Sequence, residues 1–185
     1  MNEFPKVITK QLILRGPERK DLQYVYDICS DPEVMMYYGV KPYDSMEKAE
    51  KHLDWLTSLH RENKGLRWVI TLKDEDQYIG DVGFFDYEIK HNRAEIGYIL
   101  GKEHWGKGIM TEAIEAVLTY GFNEMNLNRV QALIDARNRA SIRVAEKQGF
   151  KYEGTLRDYE QEYGGYIDLE MHSLLARHFT PRHIH

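Results

Sequence analysis

The segment from Tyr98 to Thr111 constrains the fold more than any other part of the sequence. A short apolar run that ends at Leu100 leads into a turn containing Gly106 and Gly108, and an amphipathic helical pattern begins directly afterwards. Glycines let the backbone approach a ligand, and the first N–H groups of a helix are unpaired donors at the positive end of its dipole. The segment therefore predicts a strand–turn–helix unit that can bind a pyrophosphate, although a tight turn that binds nothing fits Gly-x-Gly equally well.

The spacing of these glycines excludes two common phosphate motifs. The dinucleotide fingerprint needs a third glycine three residues after Gly108, where Thr111 stands. A Walker A loop is also absent, because no Gly-Lys-Ser/Thr sequence follows at the required spacing. Lys107 adds a positive charge that suits a phosphate.

Periodicity along the rest of the chain predicts a single α/β domain over residues 1–180, with the element order βααβββαβαββ. The predicted helices cover residues 19–30, 44–65, 108–125 and 138–148. The predicted strands cover residues 12–14, 66–73, 78–88, 94–100, 129–135, 150–157 and 166–175. Asp44 and Glu47 read as a capping box at the start of the second helix, with Gly65 at its end and Gly149 after the last helix.

The strands on either side of the helix at 108–125 should be parallel, because a crossover helix separates them. The remaining strands are expected to pair mostly antiparallel, beginning with a hairpin at 66–88. Residues 181–185 are expected to form a disordered tail.

Composition limits the classes of function. Lys and Arg total 25 against 30 Asp and Glu, a net charge of −5, which argues against a nucleic-acid partner. Cys29 is the only cysteine, so no internal disulfide forms, and a small buried side chain is a better interpretation of it than a nucleophile. We expect a cytoplasmic protein, because the chain shows neither a signal peptide nor an apolar run long enough to span a membrane. No histidine pair has metal-ligand spacing, so no metal is expected.

Several short motifs occur in a fixed order over nearly the whole chain. They are Leu12-Ile13-Leu14-Arg15, Asp31-Pro32-Glu33-Val34-Met35, Trp105-Gly106-Lys107-Gly108 with Thr111-Glu112-Ala113, Asn128-Arg129-Val130, Asn138-Arg139-Ala140-Ser141, Glu146-Lys147-Gln148-Gly149-Phe150 and Glu153-Gly154. Together they resemble the GNAT superfamily of N-acetyltransferases, and specifically its RimJ/RimL-like branch. The resemblance implies a GNAT-like fold in which two central parallel strands splay apart to form a wedge for the acetyl donor, acetyl-CoA.

The resemblance also assigns cofactor-binding residues. The backbone of Tyr98, Ile99 and Leu100 would hydrogen-bond the pantetheine arm. The pyrophosphate would lie on the N–H groups of Trp105, Gly106, Lys107, Gly108, Ile109, Met110 and Thr111. Asn138 would hydrogen-bond the pantetheine or its surroundings, although its position also fits a helix N-cap.

Two positions depart from the family pattern. Glu103 stands where relatives often have Gln or Arg, and a carboxylate there should point away from the phosphates. Ala145 stands where many relatives have a Tyr that protonates the leaving thiolate, so that role is vacant or taken by another group.

Acetyl transfer to an amine needs a base, polarisation of the carbonyl and a proton donor. We predict that Glu95 is the base, because strand alternation places it on the same face as Ile99; Glu88 and Asp86 are weaker candidates. The alternative is an ordinary strand Glu paired with a nearby Arg or Lys. A backbone N–H near Ile99 or Leu100 would stabilise the oxyanion. Ser141 is the predicted acid, and the alternative is a hydroxyl that bonds the local backbone.

The predicted acceptor is the N-terminal α-amine of a protein or peptide, as the RimJ/RimL-like branch implies, with ribosomal proteins as the target class. The alternatives are a small amine, such as a polyamine, amino sugar or antibiotic, and a CoA-binding sensor without activity. A broad groove would favour peptides, and a closed acidic pocket would favour polyamines. Tyr159, Tyr163 and Tyr166 are candidates for lining the substrate cleft. Monomer and homodimer both remain open.

Overall fold

Eight strands form one mixed sheet in the computed structural model, which describes residues 3–162 and 164–181. The strands are β1 (Val7–Ile8), β2 (Leu12–Arg15), β3 (Leu66–Leu72), β4 (Glu75–Glu88), β5 (Arg93–Leu100), β6 (Arg129–Asp135), β7 (Lys151–Glu162) and β8 (Gly165–Leu175). Their order across the sheet is β1-β2-β3-β4-β5-β6-β8-β7. The predicted hairpin is present as the antiparallel pair β3–β4.

Helices cover both faces of the sheet. They are α1 (Leu22–Cys29), α2 (Pro32–Met35), α3 (Met46–Arg61), α4 (Ile109–Asn123) and α5 (Arg139–Lys147). Strand alternation divides the core between the two faces: Trp68 and Ile70 pack with α4, whereas Val69 packs with α1 and α3. Within the described residues, no helix combines the length and the apolar character needed to cross a membrane.

The parallel pair β5–β6 is held together only at its start. Its register joins Arg93 to Arg129, Ala94 to Val130 and Glu95 to Gln131. In the described part of the chain no further rung follows, and residues 96–100 of β5 pair with β4 alone, while the rest of β6 pairs with β8. The expected splayed parallel pair is therefore confirmed, and the gap between these two strands is where a site can form.

The predicted element order is wrong at two places. It omits β1, whose two residues are too short to show a periodicity. It also omits α2, because the predicted first helix ends at residue 30 and no helix is predicted before residue 44. In the structure Pro32 is the first residue of α2, where its missing N–H costs nothing, and the Asp31 side chain caps that helix by accepting from the N–H of Glu33 at 2.8 Å.

The ends of α3 also differ from the prediction. The N-cap is Ser45, and the Asp44 carboxylate forms an ion pair with Lys48 at 2.9 Å, so the predicted capping box is absent. The helix ends at Arg61, four residues before Gly65, and Asn63 takes the left-handed conformation with φ of 54°. Gly149, by contrast, has the positive φ of 91° that was expected after α5.

Candidate active site

A cavity of about 970 Å³ lies where β5 and β6 separate. Its walls come from the second half of β5, the end of β6, the starts of α4 and α5, and the segment at residues 33–43. Twelve of the thirteen predicted site residues line it: Glu95, Tyr98, Ile99, Leu100, Trp105, Gly106, Gly108, Ile109, Met110, Thr111, Asn138 and Ser141. Lys107 does not line the cavity, so the structure gives no support to its predicted role beside a phosphate.

The glycine turn has the shape of an anion cradle. Gly106 and Gly108 have φ of 72° and 78°, a conformation that other residues rarely adopt. A Cβ atom on either glycine would meet nothing within 4 Å, so both present open backbone to the cavity. Gly108 is also the N-cap of α4, and the N–H groups of the first helical turn have no partner within the helix. These features fit the pyrophosphate of CoA.

Side chains fix the turn to the rest of the fold. The indole of Trp105 donates to the carbonyl of Leu100 at 2.8 Å, which ties the turn to the end of β5. The Glu112 carboxylate, in the first turn of α4, accepts from the hydroxyl of Thr9 at 2.6 Å and the backbone N–H of Gln11 at 2.7 Å. The N-terminal hairpin therefore holds the start of α4 in place before any ligand binds.

Asn138 and Ser141 lie together at the start of α5. Asn138 is the N-cap and accepts from the Ser141 N–H at 3.1 Å, so the N-cap interpretation holds while the residue also lines the cavity. The Ser141 side chain hydrogen-bonds the phenol of Tyr98, and Ser141 lines the cavity. The phenol of Tyr98 donates to the Ser141 carbonyl at 3.5 Å, so its side chain as well as its backbone borders the site.

Glu95 occupies the last rung of the parallel pair, where the wedge begins. Burial raises its pKa to about 7; a hydrogen bond from Gln131 at 3.3 Å lowers the pKa, and the charges of Asp86 and Glu160 raise it. The carboxylate forms no ion pair with a Lys or Arg in residues 3–162 and 164–181. Its surroundings are therefore those of a proton acceptor near neutral pH rather than of a paired strand Glu.

The aromatic wall of the cavity was missed at the sequence level. It consists of Tyr38, Tyr43, Trp55 and Phe85. Tyr159 and Tyr166, which were expected to line the cleft, are 53% and 65% exposed and lie outside the lining, and Tyr163 falls outside the described residues. No spacing in the sequence connects these wall residues, because they come from a loop, a helix and a strand that only the folded chain brings together.

A buried polar network supports this wall. The Asp81 carboxylate accepts from Arg67 Nε at 2.5 Å and from the Tyr78 hydroxyl at 2.6 Å, and it lies 3.1 Å from His52 Nε2. Burial acts to raise the pKa of Asp81, but the Arg67 charge and these hydrogen bonds hold it well below its usual value. Asp81 therefore stays ionised and neutralises the charge of Arg67.

Cys29 lies at the edge of this network, with its sulfur 3.9 Å from His52 Nδ1. It is fully buried, does not line the cavity, and burial raises the pKa of its thiol above the usual value. A thiolate nucleophile is therefore unavailable at this position, as the sequence interpretation expected.

Two contacts link the segment at residues 36–43 to β7 and to the connection between β6 and α5. A Cβ on Gly39 would lie 3.3 Å from a carboxylate oxygen of Glu160 on β7. The ring of Tyr37 lies 5.7 Å from the guanidinium of Arg137, which precedes α5. The segment at residues 36–43 therefore crosses from the α1 side of the sheet to the β7 side, and Glu160 joins the lining as a carboxylate that sequence reasoning did not select.

Comparison with known proteins decides the family. The sequence profile of the acetyltransferase (GNAT) domain matches residues 11–151, which is most of the chain. The chain belongs to the GNAT acetyltransferase family. It is therefore an acetyl-CoA-dependent acyltransferase, and the GNAT assignment made from the sequence motifs is confirmed.

Named relatives of this GNAT enzyme point to more than one acceptor class. An uncharacterized N-acetyltransferase, p20 of Bacillus licheniformis, is 39% identical over 172 residues, which cover 93% of this chain and 97% of p20. Spermidine N(1)-acetyltransferase of Escherichia coli (strain K12) is 31% identical over 173 residues, 91% of this chain and 90% of the relative. The structure of RimL, a ribosomal L7/L12 α-N-protein acetyltransferase in complex with coenzyme A, has a TM-score of 0.80 at 22% identity, covering 91% of this chain and 96% of RimL. Similarity at that identity shows the fold alone, so the RimJ/RimL-like branch stays a prediction.

The GNAT reaction assigns chemical tasks to this cavity. Acetyl-CoA supplies an activated thioester carbonyl. The glycine turn suits its pyrophosphate, and the unpaired edge of β5 from residue 96 to 100 offers backbone groups to its pantetheine arm. Glu95 lines the cavity at the inner end of the wedge, and Ser141 lines it from the start of α5.

Proposed function

We propose that this enzyme transfers the acetyl group of acetyl-CoA to the N-terminal α-amine of a protein or peptide, with ribosomal proteins as the target class. The observation that carries the proposal is Glu95, a carboxylate in the cavity with a pKa of about 7 and no cationic side chain paired with it in the described chain. The free Cys29 thiol suits the reducing cytoplasm, which we propose as the location.

The pKa of the base favours an α-amine over an alkylamine. An N-terminal ammonium has a pKa of about 8, whereas a lysine-type ammonium has a pKa of about 10.4. A base with a pKa of about 7 removes the proton of the first at a cost of about one pKa unit, and of the second at more than about three units. An α-amine is therefore the acceptor that Glu95 can neutralise most readily, directly or through a water molecule.

The other side chains have supporting roles in this proposal. Glu160 and Asp86 add negative charge near Glu95, which attracts an acceptor that arrives as a cation. The Ser141 hydroxyl donates a proton to the departing thiolate, a task that Ala145 cannot perform. The wedge between β5 and β6 contributes by holding both substrates in reactive proximity.

A second candidate acceptor is a small polycationic amine such as a polyamine. Two observations favour it. The first is that the segment at residues 36–43 bridges the cavity through Gly39 and Tyr37, which leaves less room for a bulky acceptor. The second is that the 31% identity to a spermidine acetyltransferase extends over nearly the whole chain.

Thiol release from acetyl-CoA, measured with a panel of acceptors, tests the proposal. The panel holds peptides with a free N-terminus and one internal Lys, the same peptides with a formylated N-terminus, spermidine and an amino sugar. We expect turnover with free but not with formylated peptides, and mass spectrometry should locate the acetyl group on the α-nitrogen. Turnover with spermidine alone would favour the second candidate, and acetylation of Lys in formylated peptides would contradict the pKa argument.

A further inference from the structure

Arg67 contributes a charged side chain to the wall of the cavity. It belongs to β3, is only 2% exposed and lines the same cavity as Glu95. Its Nε donates to Asp81 at 2.5 Å, its Nη2 donates to the Tyr38 hydroxyl at 3.0 Å, and its guanidinium lies 5.1 Å from the ring of Trp55. The guanidinium is therefore held in a single orientation.

The third nitrogen of this guanidinium, Nη1, makes none of these contacts. Nη1 donates to none of the residues that the structure describes. It lies 2.9 Å from the position that a Cβ on Gly97 would occupy, so only glycine there leaves room for it. Because Arg67 lines the cavity, a ligand bound there can accept a hydrogen bond from this nitrogen.

The sheet register explains how Arg67 reaches this place. Arg67 on β3 pairs with Gly83 on β4, and Gly83 pairs with Gly97 on β5. Because neither glycine has a side chain, the Arg67 side chain can cross the face of β4 and end above β5. Gly97 follows Glu95 by two residues on the same face, about 7 Å along the strand.

We propose that Arg67 Nη1 donates a hydrogen bond to the first carbonyl oxygen of the acceptor, the C=O adjacent to its α-amine. This inference rests on the proposed function and makes it more specific, because it assigns the α-aminoacyl unit as the recognised group. Glu95 binds the amine, and Arg67, a positioning residue, binds the carbonyl one carbon away. The two side chains reach the same face of the sheet, because Arg67 Nη1 lies beside Gly97 and Gly97 follows Glu95 by two residues on β5.

The charges around Arg67 favour a neutral oxygen over other partners. Asp81 already neutralises the guanidinium, so an acceptor carboxylate gains little net attraction there. A polyamine would place a further ammonium beside the guanidinium without offering an acceptor for Nη1, and the two like charges repel. A peptide carbonyl accepts the hydrogen bond and adds no charge.

The test compares a peptide with its (E)-alkene isostere, in which a C=C unit of the same shape replaces the first peptide bond and so removes the carbonyl oxygen. The kcat/KM values of both are measured for the wild type and for Arg67→Lys, which keeps the charge opposite Asp81 but lacks the forked nitrogens. We expect the wild type to prefer the peptide by about 10-fold or more, mainly through KM, and Arg67→Lys to lose most of that preference. The affinity for CoA, measured by calorimetry, should be unchanged.

A second variant guards against a folding defect. Arg67→Met combined with Asp81→Asn removes both charges of the buried ion pair, while the Asn oxygen can still accept from the Tyr78 hydroxyl. This double variant should prefer the peptide over its isostere no more strongly than Arg67→Lys does. A preference that persists in both variants, or a wild type that uses both acceptors equally, would overturn the inference while leaving α-amine acetylation intact. Acetylation of spermidine with no peptide turnover would overturn the proposed function together with the inference.

Discussion

The side-chain amide of Gln131 donates a hydrogen bond of 3.3 Å to the carboxylate of Glu95 across the last rung of the parallel β5–β6 pair. The rung marks the point beyond which the two strands separate to form the cavity. A partly buried carboxylate is thereby held at the inner end of the wedge, with a single neutral donor and two acidic neighbours that raise its pKa. The proposed chemistry depends on this position.

Replacing Glu95 with Gln should stabilise the fold in a pH-dependent way. The pKa of Glu95 is about 7 in the folded protein against an ordinary value of 4.5, so the folded state keeps a proton that the unfolded state has lost between these values. The contribution of Glu95 to stability therefore falls as pH rises from about 4.5 to about 7. The variant does not lose this stability. Its free energy of unfolding relative to that of the wild type should therefore rise by up to about 3 kcal/mol as the pH increases from about 4.5 to about 7. Urea unfolding at pH 5 and pH 8 measures the gain, and a constant difference would contradict the raised pKa.

Gly108→Glu should abolish CoA binding, because it places a side chain and a negative charge where the cradle is open. Gly164→Glu is the matched control: Gly164 has a similar φ of 84° and equally open surroundings, but it lies outside the cavity lining. Both variants carry the same backbone strain. Calorimetric titration with CoA should show binding for Gly164→Glu alone, and equal affinities in the two folded variants would refute the cradle assignment.

Asp81→Asn should destabilise the protein by about 3–5 kcal/mol, because it leaves the buried Arg67 without its counter-charge. Asp76→Asn is the comparison, since its ion pair with Arg15 involves an exposed carboxylate and should be worth less than about 1 kcal/mol. Chemical unfolding of both variants measures the difference. Similar denaturation midpoints for the two variants would show that the buried polar network around Asp81 does not depend on its ion pair with Arg67.

Asn138 has two assignments that substitution can separate. Asn138→Ala removes the N-cap of α5 and should cost about 1 kcal/mol of stability, whereas Asn138→Ser retains a capping oxygen and should cost little. If Asn138 also contacts the cofactor through its amide N–H, both variants should raise the KM for acetyl-CoA. An unchanged KM in the stable Ser variant would reduce Asn138 to a helix cap.

The sequence predicts those parts of the fold that local patterns encode. The strand at 129–135 is correct in both bounds, and α4 is correct to within two residues at each end, because apolar periodicity marks them. The omission of β1 and α2 has a local cause as well, since two residues and a single turn carry no periodicity.

Local patterns could not predict that Arg67, Tyr38 and Glu160 line the cavity. Arg67 reaches the cavity only because Gly83 and Gly97 stand in register with it on the next two strands. Tyr38 and Glu160 approach the site from segments that are far apart in the sequence. The raised pKa of Glu95 likewise depends on burial and on neighbours that tertiary packing supplies, so alternation could place the residue on a face but not define its chemistry.

The pH dependence of kcat/KM for a peptide acceptor, compared between wild type and Glu95→Gln, tests the central claim most directly. In the wild type the acceptor binds as an ammonium and Glu95 takes its proton, so only Glu95 (pKa about 7) must be ionised beforehand. The logarithm of kcat/KM should then rise with a slope of about 1 and level off near pH 7 in the wild type, whereas the variant needs an acceptor that is already neutral, so its much lower rate should keep rising to about pH 8. Profiles with the same inflection and the same height would show that Glu95 is not the base.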